Sequence, residues 1–251
     1  MLPIFKTHYS IGKSILTVND KTSPDGPDSI LDICQENKLD KIVIVEDNAH
    51  GFLKTLKSLS RINVDLIFGL RIKISENQPE DKDKKFYRLI IFAKNNEGIK
   101  KLYKIYSHAF CENAEYITLP ELKSYWDSNL TLAIPFYDSF IYYNNFTFDS
   151  FTPDFSSFGK LMVFYEDNGL PIDLPLKEKV LQFHQKSNSD IFETKSIYYK
   201  NKSDFKAYQT FKIINNRKAG RNFSLSRPEL SGCCSDEFCW ESYLSNENKA
   251  S

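Results

Sequence analysis

The segment KIVIVEDNAHGF, residues 41–52, places side chains that could bind a metal directly after a buried strand. Glu46 and Asp47 form an acidic pair at the end of that strand, and His50 follows in the next loop. His8 lies at the end of an earlier predicted strand. His8, Asp47 and His50 could therefore face one end of a sheet and hold a single Zn²⁺, Mn²⁺ or Mg²⁺ ion. A catalytic site with several metal ions would require more carboxylates and imidazoles than these.

Other patterns that could carry chemistry are incomplete. IGKS at 11–14 lacks the glycine that a phosphate-binding loop requires at the position of Thr7. CCSDEFC at 233–239 offers three thiols without a fourth ligand nearby, so we predict ordinary thiols there rather than a zinc site. His108 and His184 fall in predicted helices and are read as packing or surface residues. No Ser–His–Asp or Cys–His arrangement is supported by the spacing.

Composition narrows the class of protein. The chain has 251 residues with 33 basic and 33 acidic side chains, which argues against a protein that binds nucleic acid by net charge alone. No apolar run reaches the roughly 18 residues that a membrane span requires. The odd number of cysteines is typical of reduced thiols in a cytoplasmic protein rather than of a disulfide framework. The cysteines are Cys34, Cys111, Cys233, Cys234 and Cys239.

Short apolar runs alternate with helical patterns along most of the chain. Strands are predicted at Ile4–His8, Lys41–Glu46, Asp65–Ile74, Tyr87–Ala93, Leu130–Phe136, Lys160–Tyr165 and Asp190–Thr194. Helices are predicted at Pro27–Asn37, Phe52–Arg61, Glu97–Phe110, Leu119–Trp126, Leu176–Gln185 and Ser203–Asn215. This alternation predicts a parallel sheet covered by helices, and seven strands without a glycine-rich phosphate loop favour an α/β barrel. In that fold the functional residues lie at the carboxyl ends of the strands.

Two segments fall outside this pattern. Residues 75–85 are charged and poor in apolar side chains, which predicts an exposed loop or hairpin tip. Residues 1–216 are predicted to form the barrel. Residues 217–251 show no clear element and are predicted to be a partly disordered extension.

Several segments in order resemble the PHP (polymerase and histidinol phosphatase) domain at the N-terminus of the alpha subunit of bacterial DNA polymerase III. The most specific is YRLIIFAKNNEGIKKLYKIYS, residues 87–107. FKTHYSIGKSIL, the segment around KIVIVEDNAHGF, FYEDNGLP, SIYYKNKSDFKAYQTFKII and SDEFCWES extend the resemblance over about residues 2–242. It implies a distorted seven-stranded (β/α) barrel. Active members of the family hold a metal cluster there and hydrolyse phosphoesters, in some polymerases as a 3′–5′ proofreading exonuclease.

The resemblance also implies which positions would carry the metal ligands, and most are of the wrong type. Asp47 is the one ligand that matches, whereas His8 and His50 do not fall on ligand positions. The other positions correspond to Ile4, Lys6, Asn48, Arg71, Arg88, a residue near Phe136 or Tyr137, Ser196 and Tyr198. Cations at a few ångströms repel metal ions strongly, and an arginine cannot deprotonate to relieve this. We therefore expect no metal and predict that Asp47 pairs with Arg71, Lys6 or Arg88, an arginine being preferred.

These expectations give three candidate functions. The first is a non-catalytic interaction module in DNA replication, contacting a polymerase, its proofreading subunit or other proteins of the nucleic-acid machinery. The second is a metal-dependent phosphoesterase or exonuclease with a rearranged site around His8, Asp47 and His50. The third is a phosphate or weak nucleic-acid binder using Lys6, Arg71 and Arg88. The chain is expected in the cytoplasm, or in a host's cytoplasm if phage-encoded, as a free-standing protein or a fragment.

Overall fold

The computed structural model describes residues 1–76, 85–218 and 235–250. Within them lie eight strands, β1 Leu2–Phe5, β2 Lys41–Glu46, β3 Asp65–Ser75, β4 Phe86–Ala93, β5 Tyr116–Thr118, β6 Leu130–Ile134, β7 Leu161–Tyr165 and β8 Ser189–Ile197. The α-helices are α1 Ile30–Glu36, α2 Phe52–Ser60, α3 Asn96–Ser107, α4 Leu119–Tyr125, α5 Phe140–Phe146, α6 Asp173–Lys186, α7 Phe205–Lys218 and α8 Trp240–Ala250. None of the helices in these ranges has the length and apolar character needed to cross a bilayer.

Seven of the strands close into a barrel. The sheet runs in the order β2-β1-β8-β7-β6-β4-β3, and a further pairing between β2 and β3 joins its ends. β5 lies outside this ring and pairs with the end of β3, where Lys73 is opposite Tyr116. The predicted α/β barrel is therefore present as a mixed, closed barrel with helices around it.

The prediction of a parallel sheet is wrong at β4. β4 runs antiparallel to both of its neighbours, β3 and β6, whereas the other neighbouring strands of the ring are parallel. The chain between Ser75 and Phe86 is shorter than the dozen or more residues that a parallel crossover requires, so the next strand must return in the opposite direction. The loop predicted at 75–85 falls largely on residues 77–84, outside the described residues.

Alternation along the strands separates two layers of core. Val43 and Val45 point into the barrel and pack with Ile4, Ile90 and Phe164. Ile42 and Ile44, one residue out of step, pack outward against helices because successive side chains of a strand point to opposite faces. Apolar side chains thus pack inside the barrel as well as between the barrel and its helices.

Local signals placed most helix ends within a few residues. Thr118 accepts a hydrogen bond from the backbone N–H of Glu121, and the Glu121 carboxylate accepts from Thr118 N, so the predicted capping box at α4 is confirmed. The predicted start of α1 at Pro27 is wrong, because Ser29 is the N-cap and Ile30 the first helical residue. The short elements α5 and β5 were missed, since a few residues carry too little periodicity to be recognised.

The chain after residue 216 contains more structure than predicted. Residues 240–250 form α8, and the Trp240 ring packs 5.4 Å from Phe5 and 4.8 Å from Tyr243. The backbone N–H of Tyr198 donates to Phe238 O at 2.9 Å. The expectation that residues 217–251 contain no clear element is wrong for residues 240–250. Three consecutive buried residues, Phe238 to Trp240, anchor it, and their burial is decided by the barrel they meet.

Candidate functional site

A cavity of about 100 Å³ opens at the end of the barrel where the parallel strands finish. Its walls combine positive charge with aromatic rings. The cations are Lys6, Lys13, Arg71 and Lys212, the acids are Asp138 and Glu166, and the rings include those of Phe136, Tyr137, Tyr142, Phe164, Tyr198 and Phe238. The position agrees with the rule that barrel sites lie at the carboxyl ends of strands.

Asp47 lies at the centre of the positive charge. It follows β2 directly, and its Oδ1 atom is 2.7 Å from Lys6 Nζ and 3.9 Å from a guanidinium nitrogen of Arg71. Burial alone would raise the pKa of Asp47, but Lys6 and then Arg71 outweigh it and hold the pKa below its ordinary value. The predicted pairing of Asp47 with nearby cations is confirmed for Lys6 and Arg71, but the expected preference for an arginine is wrong, because the lysine forms the shorter contact.

Arg71 instead makes its hydrogen bonds to a residue that the sequence did not single out. Its guanidinium donates to Asp138 Oδ2 at 2.8 Å and to Tyr137 O at 3.2 Å. Burial works against the charge of Arg71, but Asp138 and Asp47 raise its pKa above the ordinary value. Asp138 follows β6 after a short connection, with a positive φ of 58°. Nothing in its local sequence marks it as a charge partner.

Two further cations extend the positive region. Burial lowers the pKa of Lys13 to about 8, and the neighbouring Lys212 adds to this. Burial, followed by repulsion from Arg71, also lowers the pKa of Arg88. The Arg88 side chain forms no ion pair within the described residues, although its backbone N–H donates to Asp138 O at 2.8 Å. Burial of Lys13 and Arg88 removes their charges from water, and attraction to nearby carboxylates offsets only part of that free-energy cost.

The buried Glu46 carboxylate links the end of β2 to the segment that follows β1. One of its carboxylate oxygens accepts from Thr7 N at 2.9 Å and the other from the Ser10 hydroxyl. Ser10 Oγ in turn accepts from Asp47 N at 2.9 Å. Burial raises the pKa of Glu46, against the opposing effects of Lys6, Ser10 and Thr7. Glu46 thus fixes the β1 and β2 loops relative to each other.

On the opposite side of the cavity, Glu166 is held by neutral donors. It follows β7 and accepts from Ser196 N at 3.0 Å, Ser196 Oγ at 2.8 Å and Asn168 Nδ2 at 2.8 Å. Burial raises its pKa, and these hydrogen bonds oppose that change without reversing it. The same network continues through Tyr137 Oη, which donates to Asp173 at 2.7 Å. Ser196, predicted from the resemblance, therefore orients a carboxylate that the sequence reading missed.

Tyr198 forms an aromatic wall with the C-terminal segment. Its ring stacks on Phe238 with centroids 5.3 Å apart and planes inclined by 8°, and on Tyr208 at 5.9 Å. Burial raises the pKa of the Tyr198 hydroxyl. This wall gives the cavity a flat aromatic side, and Lys212 lies over its Tyr208 ring, with Nζ 6.0 Å from the centroid.

The two histidines of the predicted metal set do not join Asp47. The His8 ring lies 4.3 Å from that of Tyr9, and its buried Nδ1 has no hydrogen-bond partner among the described residues. His50 is exposed, and its Nε2 is 3.4 Å from the Tyr106 hydroxyl. The Asn48 side-chain amide donates to the backbone carbonyl of Tyr9 at 2.8 Å. Across the described residues, no group of three or more His, Cys, Asp or Glu side chains could hold a metal ion.

The isolated thiols likewise form no site in the described residues. Cys34 and Cys239 are buried and Cys111 is exposed. Cys239 Sγ donates to Asp236 O at 3.3 Å and contacts Ser242 Oγ at 3.2 Å. Cys233 and Cys234 lie outside the described residues, so the prediction for this cluster stays a prediction.

A closed, mixed α/β barrel with acidic and cationic side chains at its strand ends defines an α/β-barrel protein. The family model of the PHP domain matches residues 8–147, more than half of the chain. The chain therefore belongs to the PHP domain family, a superfamily of metal-dependent phosphoesterases. No curated protein matches the chain.

The residues present do not fit the metal cluster that the family implies. A metal ion beside Asp47 would lie next to Lys6 Nζ, which already occupies Asp47 Oδ1 at 2.7 Å. The Arg71 guanidinium approaches the same oxygen and carries a full charge. Repulsion between these cations and a divalent ion is worth several kcal/mol at such distances, on the order of 4 kcal/mol per unit charge pair at 4 Å. We derive no metal-dependent step from this site.

Proposed function

We propose that this chain is a non-catalytic PHP module that works in DNA replication through contacts with other proteins. The observation that carries the proposal is the Lys6–Asp47 ion pair beside Arg71, because Lys6 and Arg71 stand at positions that the resemblance assigns to metal ligands. A salt-bridged cluster holds the strand ends together without a metal. The barrel is then retained as a scaffold.

The loss of hydrolysis is tested with the purified chain. Metal content is measured by elemental analysis, and hydrolysis of bis-p-nitrophenyl phosphate is followed with added Mn²⁺, Zn²⁺ or Mg²⁺. We expect no stoichiometric metal and no rate above that of the metal alone. A metal-dependent rate that Asp47→Asn abolishes would overturn the proposal in favour of the phosphoesterase or proofreading exonuclease alternative.

The role in replication is supported by the resemblance to the polymerase alpha subunit, and it is tested with partners. The chain is mixed with a purified bacterial replicative polymerase alpha subunit and with its proofreading subunit, and complexes are sought by size-exclusion chromatography at micromolar concentration. Co-elution with either is the expected result. A chain that elutes alone from both counts against the role in replication.

A second candidate function is anion binding in the cavity. The specific observation is that four cationic side chains line it, against two carboxylates, of which Glu166 has a raised pKa. Charge-assisted hydrogen bonds from lysine and arginine are the usual means of holding a phosphate group. The aromatic wall of Tyr198 and Phe238 would face the remainder of such a ligand.

Binding is measured by titrating the chain with inorganic phosphate, sulfate and a single-stranded oligonucleotide in a calorimeter. We expect phosphate and sulfate to bind, and Lys13→Met to weaken both. Lys123→Met, an exposed lysine of α4, is the control and should bind as the native chain does. If neither anion produces heat at millimolar concentration, the cavity is not an anion site.

A further inference from the structure

The outer faces of α2 and α3 form a surface that combines apolar side chains with lysines. The two helices are neighbours, since the rings of Phe52 and Tyr103 lie 5.9 Å apart in an edge-to-face arrangement. A shallow depression between the helices is lined by Phe52, Tyr103, Ile99 and Leu102. This surface, residues 53–57 and 99–104, is called the α2–α3 face below.

Three large apolar side chains of the α2–α3 face are exposed to solvent. The exposed fraction is 59% for Leu53 and 37% each for Leu56 and Tyr103. Leu53 and Leu56 are three residues apart on one helix and so lie on adjacent turns of the same side. Leu56 is four residues after Phe52, so the two lie next to each other on the helix surface, and Phe52 lines the depression. Solvent-exposed leucines grouped in this way mark a contact surface more often than scattered ones do.

The charge of the α2–α3 face is one-sided. The two helices carry five lysines and a single acid, Glu97, although the chain as a whole has equal numbers of acidic and basic side chains. Lys100 pairs with Glu97 and Lys101 with Asp127. The remaining lysines, Lys54, Lys57 and Lys104, are exposed and form no ion pair within the described parts of the chain. They flank the leucines and the tyrosine.

We propose that the α2–α3 face binds an acidic amphipathic helix of another protein. The apolar side of that helix would lie along the depression, against Leu53, Leu56 and Tyr103. Its acidic side chains would reach the three lysines, which complement them in charge. Exposed leucines on the axis of the surface favour a protein helix over a nucleic-acid backbone, whose phosphates gain nothing from aliphatic contact. The inference rests on the proposed interaction function but uses side chains of α2 and α3, none of which lines the cavity at the barrel mouth.

The test uses a fluorescent peptide of about 16 residues, with leucines spaced on one helical face and glutamates elsewhere. A scrambled peptide of the same composition, with the leucines dispersed, is the matched probe. Fluorescence anisotropy should give binding to the full chain that is about tenfold tighter for the patterned peptide. The Leu53→Ser/Leu56→Ser variant should lose that preference, and Lys54→Glu/Lys57→Glu should weaken binding and reduce its dependence on salt.

α6 offers a matched control, because Leu174 and Leu181 are exposed by 69% and 37%. Leu174→Ser/Leu181→Ser should bind the patterned peptide as the native chain does. Equal binding of both peptides, or full binding by Leu53→Ser/Leu56→Ser, would overturn the inference. So would displacement of the peptide by a single-stranded oligonucleotide that binds the leucine variant normally, or self-association that this variant abolishes. Hydrolysis by the chain would instead refute the non-catalytic proposal and leave this result unaffected.

Discussion

Asp47 and Glu166 both follow strands of the same barrel and both lie at its mouth, yet their surroundings are opposite. Asp47 is held by cations, and its pKa is lowered. Glu166 is held by a hydroxyl, an amide side chain and a backbone N–H, and burial raises its pKa. Burial acts in the same direction on both carboxylates. The difference shows that cations in direct contact with Asp47, Lys6 at 2.7 Å and then Arg71, overcome its desolvation, whereas the hydrogen bonds to Glu166 only moderate the effect of burial.

The largest expected effect is the loss of the charge of Asp47. Asp47→Asn leaves Lys6 buried without its counter-ion, and removing one partner of a buried ion pair costs about 3–5 kcal/mol. We expect the free energy of unfolding, measured by urea denaturation at neutral pH, to fall by that amount.

The matched control for Asp47→Asn is Asp20→Asn. Asp20 contacts Arg61 at the same 2.7 Å, but both side chains are mostly exposed. Exposed pairs contribute about 0–1 kcal/mol. Equal losses in the two variants would mean that the cations at the mouth do not depend on Asp47.

The two carboxylates should give opposite dependences of stability on pH. The folded pKa of Asp47 is lowered, so the unfolded chain binds the proton more readily, and its stabilisation is lost as the pH falls below about 4. The folded pKa of Glu166 is raised, so stability falls as the pH rises from about 4.5 through that folded pKa. A tenfold difference in proton affinity between the folded and unfolded chain corresponds to about 1.4 kcal/mol of stability.

The pH dependence contributed by each carboxylate is measured as the difference in unfolding free energy between the native chain and the Asp47→Asn or Glu166→Gln variant. The stability advantage over Asp47→Asn should shrink towards low pH, while the advantage over Glu166→Gln should shrink towards high pH. Parallel pH profiles for the two variants would contradict the assignment.

The pH dependence of sulfate binding tests whether Lys13 belongs to an anion site in the cavity. Its pKa of about 8 means that it loses its charge within the accessible range. Sulfate keeps a constant charge there, so we expect its affinity to fall about tenfold between pH 7 and pH 9. Lys13→Met should bind sulfate more weakly at pH 7 and show a flatter profile, both by calorimetry. An unchanged profile would exclude Lys13 from the anion site.

Glu166→Gln should have the smallest effect. A glutamine can accept the hydrogen bonds from Ser196 N and Asn168 and donate to Ser196 Oγ, which can rotate its own hydrogen away. We expect a loss of about 1 kcal/mol or less in urea denaturation. A loss as large as that of Asp47→Asn would mean that Glu166 is needed as an anion, and the two sides of the mouth would no longer differ.

Much of the fold could be predicted from the sequence because strands and helices carry local periodicity. β2 was placed at its observed bounds, and Thr118 with Glu121 marked the start of α4. The antiparallel direction of β4 was missed because periodicity does not report how a strand pairs, although the short connection before it, predicted as a loop or hairpin tip, carried that signal. The helix at Trp240 was missed because its anchoring residues gain burial only where they meet Phe5 and Tyr199.

The candidate site divides in the same way. The sequence, through its resemblance to the family, predicted that Lys6 and Arg71 lie beside Asp47, and both do. The tertiary structure alone decided the partners of these side chains. Lys6 donates to Asp47 and Arg71 donates to Asp138. The Ser196 hydroxyl donates to Glu166. Which of two cations pairs with a carboxylate depends on small differences in distance, as the 2.7 Å and 3.9 Å contacts of Asp47 Oδ1 with Lys6 and Arg71 show. Those distances are set by how the strands close into the barrel.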